Sequence, residues 1–254
     1  MFGVPGIALG TPNQVGGDPI LIRLMTYNIC GGLGMDGKRS LARIVEVARS
    51  AGAQIVCLQE VHRFLPNSRL VDQARRLGDR LGMVHVYQRN YSLGAGGLGN
   101  AILTSLDVVS VCSHRLTSLG EHRGLLEVHL KTPEGDLTVF CTHLGLDAME
   151  RATQAGEIAA AVNAAKGPRV LCGDFNETIS SPAVSSILES TGFRDALPEG
   201  FLTFPSNDPT HRIDFVFCDP IVGAISAGQI NTIASDHLPV AVDLDIGDAP
   251  ASHS

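Results

Sequence analysis

Short apolar runs that stop in polar residues recur along the chain, and this rhythm restricts the available folds more than any other feature of the sequence. LIRLMTYNI alternates apolar and polar side chains as a strand does, and Gly31, Gly32 and Gly34 end it in a loop. Residues 39–50 place Leu41, Ile44, Val45 and Ala48 at helical spacing; Gly52 stops the helix, and AQIVCLQE follows as an apolar strand. The chain therefore begins as strand, helix, strand. The spacing predicts a second helix over 68–81, with Leu70, Val71, Ala74, Leu77 and Leu81 on one face and arginines on the other.

From Asn100 onward strands dominate: NAILTS, DVVSVCSHRL, RGLLEVHL and DLTVFCTHL, the last two joined by a hairpin turn at Pro133, Glu134 and Gly135. An alanine-rich helix over 148–165 breaks at Gly167 and Pro168 before the strand RVLCGDFN, and RIDFVFCD and PVAVDLDI repeat the theme. Two groups of strands with helices between them predict an α/β (α+β) fold, a four-layer sandwich of two packed mixed β-sheets flanked by helices. One domain over 21–246 is expected, between a flexible leader (1–20) and a frayed tail (247–254). Polar residues at strand ends would then meet along one rim.

Apolar residues make up 44% of the chain and charged residues 18%, enough buried surface to exclude global disorder. The net charge of -7 argues against a broad basic face that would hold nucleic acid by counterion release, whereas carboxylates gathered at one site would suit a hard cation. Cys30, Cys57, Cys112, Cys141, Cys172 and Cys218 stand far apart, mostly in apolar runs, and read as reduced and buried. With no C-x-x-C and no clustered Cys/His spacing, no zinc site is expected. The first twenty residues lack a charged n-region and a sustained apolar core, and no run reaches the length of a membrane span. A cytoplasmic protein without stable membrane insertion and without a protein partner is the expectation.

Several strands end in residues that an ordinary core strand would not choose: Asn28, Glu60, Asn100, His143, Asp174 with Asn176, Asp214, and Asp236 with His237. Each alone has a bland reading, an amide as turn former or a histidine as a satisfied half-buried polar group. In CGDFN, Asp174 and Asn176 are two apart, so a continuing strand would point both to one face, and the competing reading is an Asx turn that closes the strand. No G-x-x-x-x-G-K-[ST] loop occurs.

Taken in order, TYNI, LQE, GNAILT, Thr142-His143-Leu144, GDFN, RIDFVF and SDH resemble the endonuclease/exonuclease/phosphatase superfamily over about residues 21–246, the fold of pancreatic deoxyribonuclease, apurinic endonucleases, neutral sphingomyelinases, inositol polyphosphate phosphatases and poly(A) deadenylases. The resemblance implies a divalent-metal-dependent phosphoesterase that attacks in line with an activated water, using one essential Mg²⁺, with Mn²⁺ as the alternative. It implies Glu60 as metal ligand, Asn28 supporting or reaching the metal shell through its amide oxygen, and Asp236 serving the metal region. It implies Asp174 as general base and Asn176 as a donor to a phosphate oxygen. His237 would contact the scissile phosphate with its tautomer fixed by Asp214, and His143 would contact the phosphate and assist the leaving oxygen.

Arg123 matches a family arginine near the phosphate, with a strand-edge ion pair as the competing reading, and Asn100 organises the site or is purely structural. Arg151 and Gln154 would hold the motif loops. Segments 31–38, 62–69, 89–99 and 201–211 should rim the pocket. The favoured substrate is a small-molecule or lipid-headgroup phosphate ester. A nuclease acting on DNA or RNA is the alternative, and a non-catalytic protein-binding scaffold is the alternative of another class.

Overall fold

Period-two alternation resolves into two six-stranded sheets in the computed structural model, which describes residues 21–247. In chain order the elements are β1 (Ile22–Asn28), α1 (Leu41–Ala51), β2 (Ile55–Arg63), α2 (Gln73–Leu81), β3 (Val84–Leu93), β4 (Gly96–Thr104), β5 (Asp107–Leu116), β6 (Arg123–Thr132), β7 (Gly135–His143), α3 (Ala148–Ala164), β8 (Arg169–Asp174), α4 (Pro182–Thr191), β9 (Arg194–Asp195), β10 (Asp214–Cys218), β11 (Gly223–Gln229) and β12 (Val240–Asp245). One sheet runs β11-β12-β1-β2-β4-β3 and the other β5-β6-β7-β8-β10-β9. Both are mixed: β1 is parallel to β2 and β7 to β8, and the remaining pairs are antiparallel.

Side-chain parity sorts the core into three layers. Ile22, Leu24, Ile55, Leu126, Val128, Cys141, Cys172, Val216 and Val242 fill the space between the sheets. Their odd-numbered and even-numbered neighbours face outward: Met25, Tyr27, Val56 and Leu58 meet Ile44, Ala48, Ala74 and Leu77 of α1 and α2. Phe140, Leu171, Phe215 and Phe217 meet Ile158, Val162, Val184 and Ile187 of α3 and α4. Each Val, Leu, Ile, Phe or Met among them contributes about 1.5–3 kcal/mol on burial, and a one-residue slip would exchange the faces of a whole strand. Register along these strands is therefore firmly set, and so is the edge at which each one ends.

Helix ends follow local chemistry more than apolar spacing. The Asp72 side chain accepts from Arg75 N–H and starts α2 at Gln73, not at 68 as the spacing predicts. Pro66–Ser68 forms a separate 3-10 turn, Arg69 and Leu70 take φ of 59° and 56°, and Leu70 is 62% exposed and off the helix face. The segment 89–99, expected as a rim loop, is mostly the β3–β4 hairpin. Cys112 is exposed and Cys30 half-buried, so the expectation of uniformly buried thiols holds only for the other four. Among the described residues no helix is long and apolar enough to cross a membrane. The expected leader, and all but the first residue of the expected tail, lie outside the described residues.

Candidate active site

The apolar inner faces of both sheets turn polar at one edge. Register places His143 opposite Asp174 on β7 and β8, and Asp174 opposite Asp214 on β8 and β10, so three ionisable side chains form one cross-strand row. Two residues along these strands stand Cys141, Cys172 and Val216 of the inter-sheet core, on the same face. On the other sheet, Asn28 continues the face that carries Ile22 and Leu24. The rim is thus the polar end of the inter-sheet core. Gly173 sits at φ 147°, and a Cβ there would run into the carbonyl of Thr142; the glycine lets β8 approach β7 just before Asp174.

Asp174, 1% exposed, is the hub. Its Oδ2 accepts from Asn28 Nδ2 at 2.9 Å and lies 3.4 Å from His143 Nε2 and 3.6 Å from His237 Nε2. Asn28 Nδ2 also donates to Glu60 Oε1 at 3.1 Å, while its Oδ1 accepts from Cys30 N–H at 3.1 Å. The amide oxygen closes a local turn, and the nitrogen bridges the two carboxylates. Asn176 differs from the face-sharing expectation. The strand ends at Asp174, Asn176 takes φ 50°, and its N–H donates to Asp174 Oδ1 at 2.9 Å, an Asx turn. That turn carries Asn176 Nδ2 to within 3.0 Å of His143 Nε2, where it donates to Leu144 O at 2.9 Å.

Glu60 does not close its strand, since β2 runs on to Arg63. Strict alternation would group it with Val56 and Leu58, toward the helices. A bulge between Leu58 and Val61, with Glu60 at φ 53°, re-aims it toward Asn28. A left-handed residue of this kind costs about 1–2 kcal/mol, strain of the sort that functional sites retain. Burial pushes the Glu60 carboxyl above its usual range; the Asn28 hydrogen bond opposes this, and nearby Asp174 and Asp236 add to it. Asp236 is half-buried and accepts from Ser235 Oγ at 3.1 Å.

Two nitrogen-bearing corners flank Asp174. His237 Nδ1 lies 2.9 Å from Asp214 Oδ2. Burial disfavours its charge, but Asp214, Asp174 and Asp236 outweigh it and lift the His237 pKa to about 10. At neutral pH the ring is an imidazolium whose Nε2 faces Asp174. At the other corner Arg123 Nη1 lies 3.2 Å from His143 Nδ1 and donates to Glu121 Oε1 at 2.6 Å, so Arg123 has both the site contact and the ion pair. Burial first, then the charges of Arg123 and His237, drive His143 down to about 3 against the pull of Asp174. Because a guanidinium only donates, the Arg123 contact assigns His143 Nδ1 as acceptor and the ring proton to Nε2, toward Asp174, and the Asn176 Nδ2 approach to Nε2 is then a close contact and not a hydrogen bond.

Asp174, Asp214 and His237 each offer a ligand atom within 4.8 Å of the others, a spacing that could enclose an ion. His237 is already engaged with Asp214 as an ion pair. The carboxylate oxygens of Glu60 and Asp236 suit a hard divalent cation, since positive charge there would relieve the repulsion that helps raise Glu60.

Supporting residues complete the rim. Ser235 Oγ donates to Asn28 O at 2.7 Å, and Ser206 Oγ to Ser235 O at 2.6 Å. Thr203 Oγ1 accepts from Ile213 and Asp214 N–H. Gln59, fully buried, donates to Thr26 Oγ1 on the neighbouring strand β1 and to Cys141 Sγ across the sheets. Of these only Ser235 has a sequence signal, its place beside Asp236. Asn100 Nδ2 donates to Gly124 O and Cys141 O, joining the two sheets behind the site. Arg151 donates to Gly145 O and Glu177, and Gln154 accepts from Gly145 N–H, which fixes the loops after His143 and Asn176.

The family model described as Endonuclease/Exonuclease/phosphatase family matches residues 25–237. An endonuclease/exonuclease/phosphatase structure from Beutenbergia cavernae superposes with a TM-score of 0.78 at 26% identity, over 91% of this chain and 73% of that one. The human Nocturnin catalytic domain with bound sulfate gives 0.72 at 21% identity, over 89% and 93%. A mannosyl-6-phosphatase from Bacteroides thetaiotaomicron gives 0.71 at 20% identity, over 88% and 99%. No curated protein matches.

Proposed function

The chain belongs to the endonuclease/exonuclease/phosphatase family, and from that premise we propose that it is a divalent-metal-dependent phosphoesterase acting on a small-molecule or lipid-headgroup phosphate ester. The observation that carries the reading is the row His143, Asp174, Asp214 with His237 closing on it: one buried carboxylate between two imidazoles, one backed by Arg123 and the other by Asp214.

Asp174 accepts the proton of the attacking water, oriented by Asn28 and the Asn176 N–H that hold its two oxygens. The His237 imidazolium, pinned by Asp214, faces the charge that builds on the phosphoryl oxygens. Asn176 donates to a phosphate oxygen. His143 donates a hydrogen bond from Nε2–H to the leaving oxygen, with Arg123 beside it. Glu60 and Asp236, with Asn28 bridging Glu60 to Asp174, would hold Mg²⁺ or Mn²⁺, which would supply electrostatic stabilisation of the phosphate oxygens.

A cavity of about 750 Å³ lined by Arg89, Arg115, His122 and Arg123 adjoins the His143 corner, a volume suited to a small molecule. Three arginines gathered there in an acidic chain favour an anionic group on the leaving side. None of the motif positions is replaced by a residue without the required chemistry, which disfavours a non-catalytic scaffold. The four buried free cysteines accord with a reducing compartment, and we place the protein in the cytoplasm.

The decisive experiment is hydrolysis of bis-p-nitrophenyl phosphate, p-nitrophenyl phosphate and plasmid DNA, with Mg²⁺, Mn²⁺ or chelator, by wild type and Asp174→Ala. Turnover of the small esters that requires metal and is lost in Asp174→Ala is expected. DNA cleavage exceeding small-ester turnover would move the assignment to a nuclease, and absence of both turnover and cation binding would favour the scaffold.

A further inference from the structure

Pairing of β5 with β6 gathers four metal-ligating side chains that linear spacing keeps apart. Cys112 and His114 form a C-x-H on β5, and Glu127 and His129 an E-x-H on β6. Register sets Cys112 directly opposite Glu127, and residues two apart share a face. The inner face of β6 is taken by Leu126, Val128 and Leu130, so these four lie on the outer face, away from the inter-sheet core and the rim. Glu127 follows Arg123 by four residues on the same strand, roughly 13 Å at a strand's rise per residue.

The ligand atoms of Cys112, His114 and Glu127 all fall within 4.8 Å of one another. His114 Nε2 is 2.6 Å from Glu127 Oε2, and His129 Nε2 is 2.7 Å from Glu127 Oε1. His129 Nδ1 is in turn 3.0 Å from Thr138 Oγ1. Glu127 is buried while Cys112 is exposed and both histidines are partly exposed, so the donors face a route from solvent. A cavity of about 470 Å³ against α3 opens on His114, Glu127 and His129.

We propose that Cys112, His114 and Glu127 form a binding site for Zn²⁺, with His129 holding the second oxygen of Glu127. Bond lengths of about 2.0–2.3 Å place tetrahedral ligand atoms roughly 3.3–3.8 Å apart. The His114–Glu127 contact would open by about 1 Å, and Cys112 Sγ would close on the same point, movements of side chains on a fixed sheet. One thiolate, one imidazole and one carboxylate favour a borderline transition ion over Mg²⁺ or Ca²⁺, which take oxygen. The Thr138 contact resembles the partner that orients an outer histidine at a metal site. Three protein donors leave a fourth position toward the cavity. The inference does not rest on the phosphoesterase reading, because no residue is shared with the rim.

The test titrates chelator-treated protein with Zn²⁺, and separately with Co²⁺, under excess Mg²⁺. One equivalent of Zn²⁺ is expected in wild type and equally in Asp174→Ala, and the Co²⁺ complex should show a near-ultraviolet thiolate charge-transfer band. Cys112→Ser, at an exposed position that does not threaten folding, should abolish the band and weaken Zn²⁺ at least tenfold, as should His114→Ala. Zn²⁺ affinity unchanged in both variants, Zn²⁺ lost in Asp174→Ala but kept in Cys112→Ser, or no Zn²⁺ bound by wild type would each overturn the proposal.

Discussion

The His143 corner and the His237 corner of the rim share a neighbour and a degree of burial. Each ring is 5% exposed and each presents Nε2 to Asp174 Oδ2, at 3.4 and 3.6 Å. Their pKa values nevertheless separate, to about 3 and about 10. The difference lies at the far nitrogen, where Arg123 stands behind His143 and Asp214 behind His237. Burial opposes the charged form at both corners, so the sign of the fixed partner decides which ring keeps a proton. The lesson is that a pair of acid and base roles can be built from one residue type by changing only what stands behind it.

Removing the charged corner should have the largest effect. His237→Gln is expected to lower kcat by about 10²–10³, the scale seen when a preorganised donor to developing charge is lost. Asp214→Asn should approach that loss while leaving the ring in place, and should move the basic limb of the pH–rate profile down from about 10. Equal losses in His237→Gln and His143→Gln, each with an unchanged pH profile, would break the division of roles.

Arg123→Met sharpens the other half of the comparison. Without the guanidinium His143 loses a contribution that lowers its pKa while burial still opposes its charge, so its ionisation should rise from about 3. Activity should fall roughly tenfold, the scale of one hydrogen bond to a charged group at about 1.5 kcal/mol, with an acidic limb that shifts to higher pH. A histidine-resolved NMR titration that places His143 where it was in wild type would remove Arg123 from this role.

The corners were legible in the sequence to different depths. Asp214 and His237 belong to the motifs RIDFVF and SDH, so the dyad could be named before its 2.9 Å contact was seen. The two sheets were legible as well, because strands buried on the inner face must keep a period of two over many residues. Other features depend on backbone detail that alternation does not encode. Parity puts Glu60 on the helix side of its sheet, and only the bulge with its left-handed residue brings the carboxylate to the rim. Asn176 reaches His143 through a turn and not along a strand. Edge strands β3 and β11 are largely exposed and carry little apolar signal, so they pass for loops. Helix α4 shows in the sequence only through its ends, where Ser181, Pro182 and Gly192 supply a cap, a first-turn proline and a left-handed stop. Thr203 and Ser206 lie in a segment with no periodicity, and their work is visible only once the chain folds back on Asp214 and Ser235.

The remaining expected effect is on stability, and it has opposite signs at the two corners. His237 has a folded pKa raised from 6.5 to about 10, so the native state binds the proton more tightly. Its contribution is fully present below pH 6.5 and is lost as pH rises from 6.5 to about 10. His143 has a folded pKa lowered to about 3, so the native state holds the neutral ring and loses stability as pH falls from 6.5 toward 3. Thermal unfolding across pH should therefore show an alkaline decline that flattens in Asp214→Asn and an acid decline that flattens in His143→Gln. In a domain of this size each kcal/mol shifts Tm by about 2–4 °C, which calorimetry resolves. The diagnostic is the crossed pattern: each variant should alter one limb and leave the other in place. If both variants lowered Tm by the same amount at every pH, the two rings would have similar protonation in the native state, and the contrast between the corners would be one of packing and not of charge.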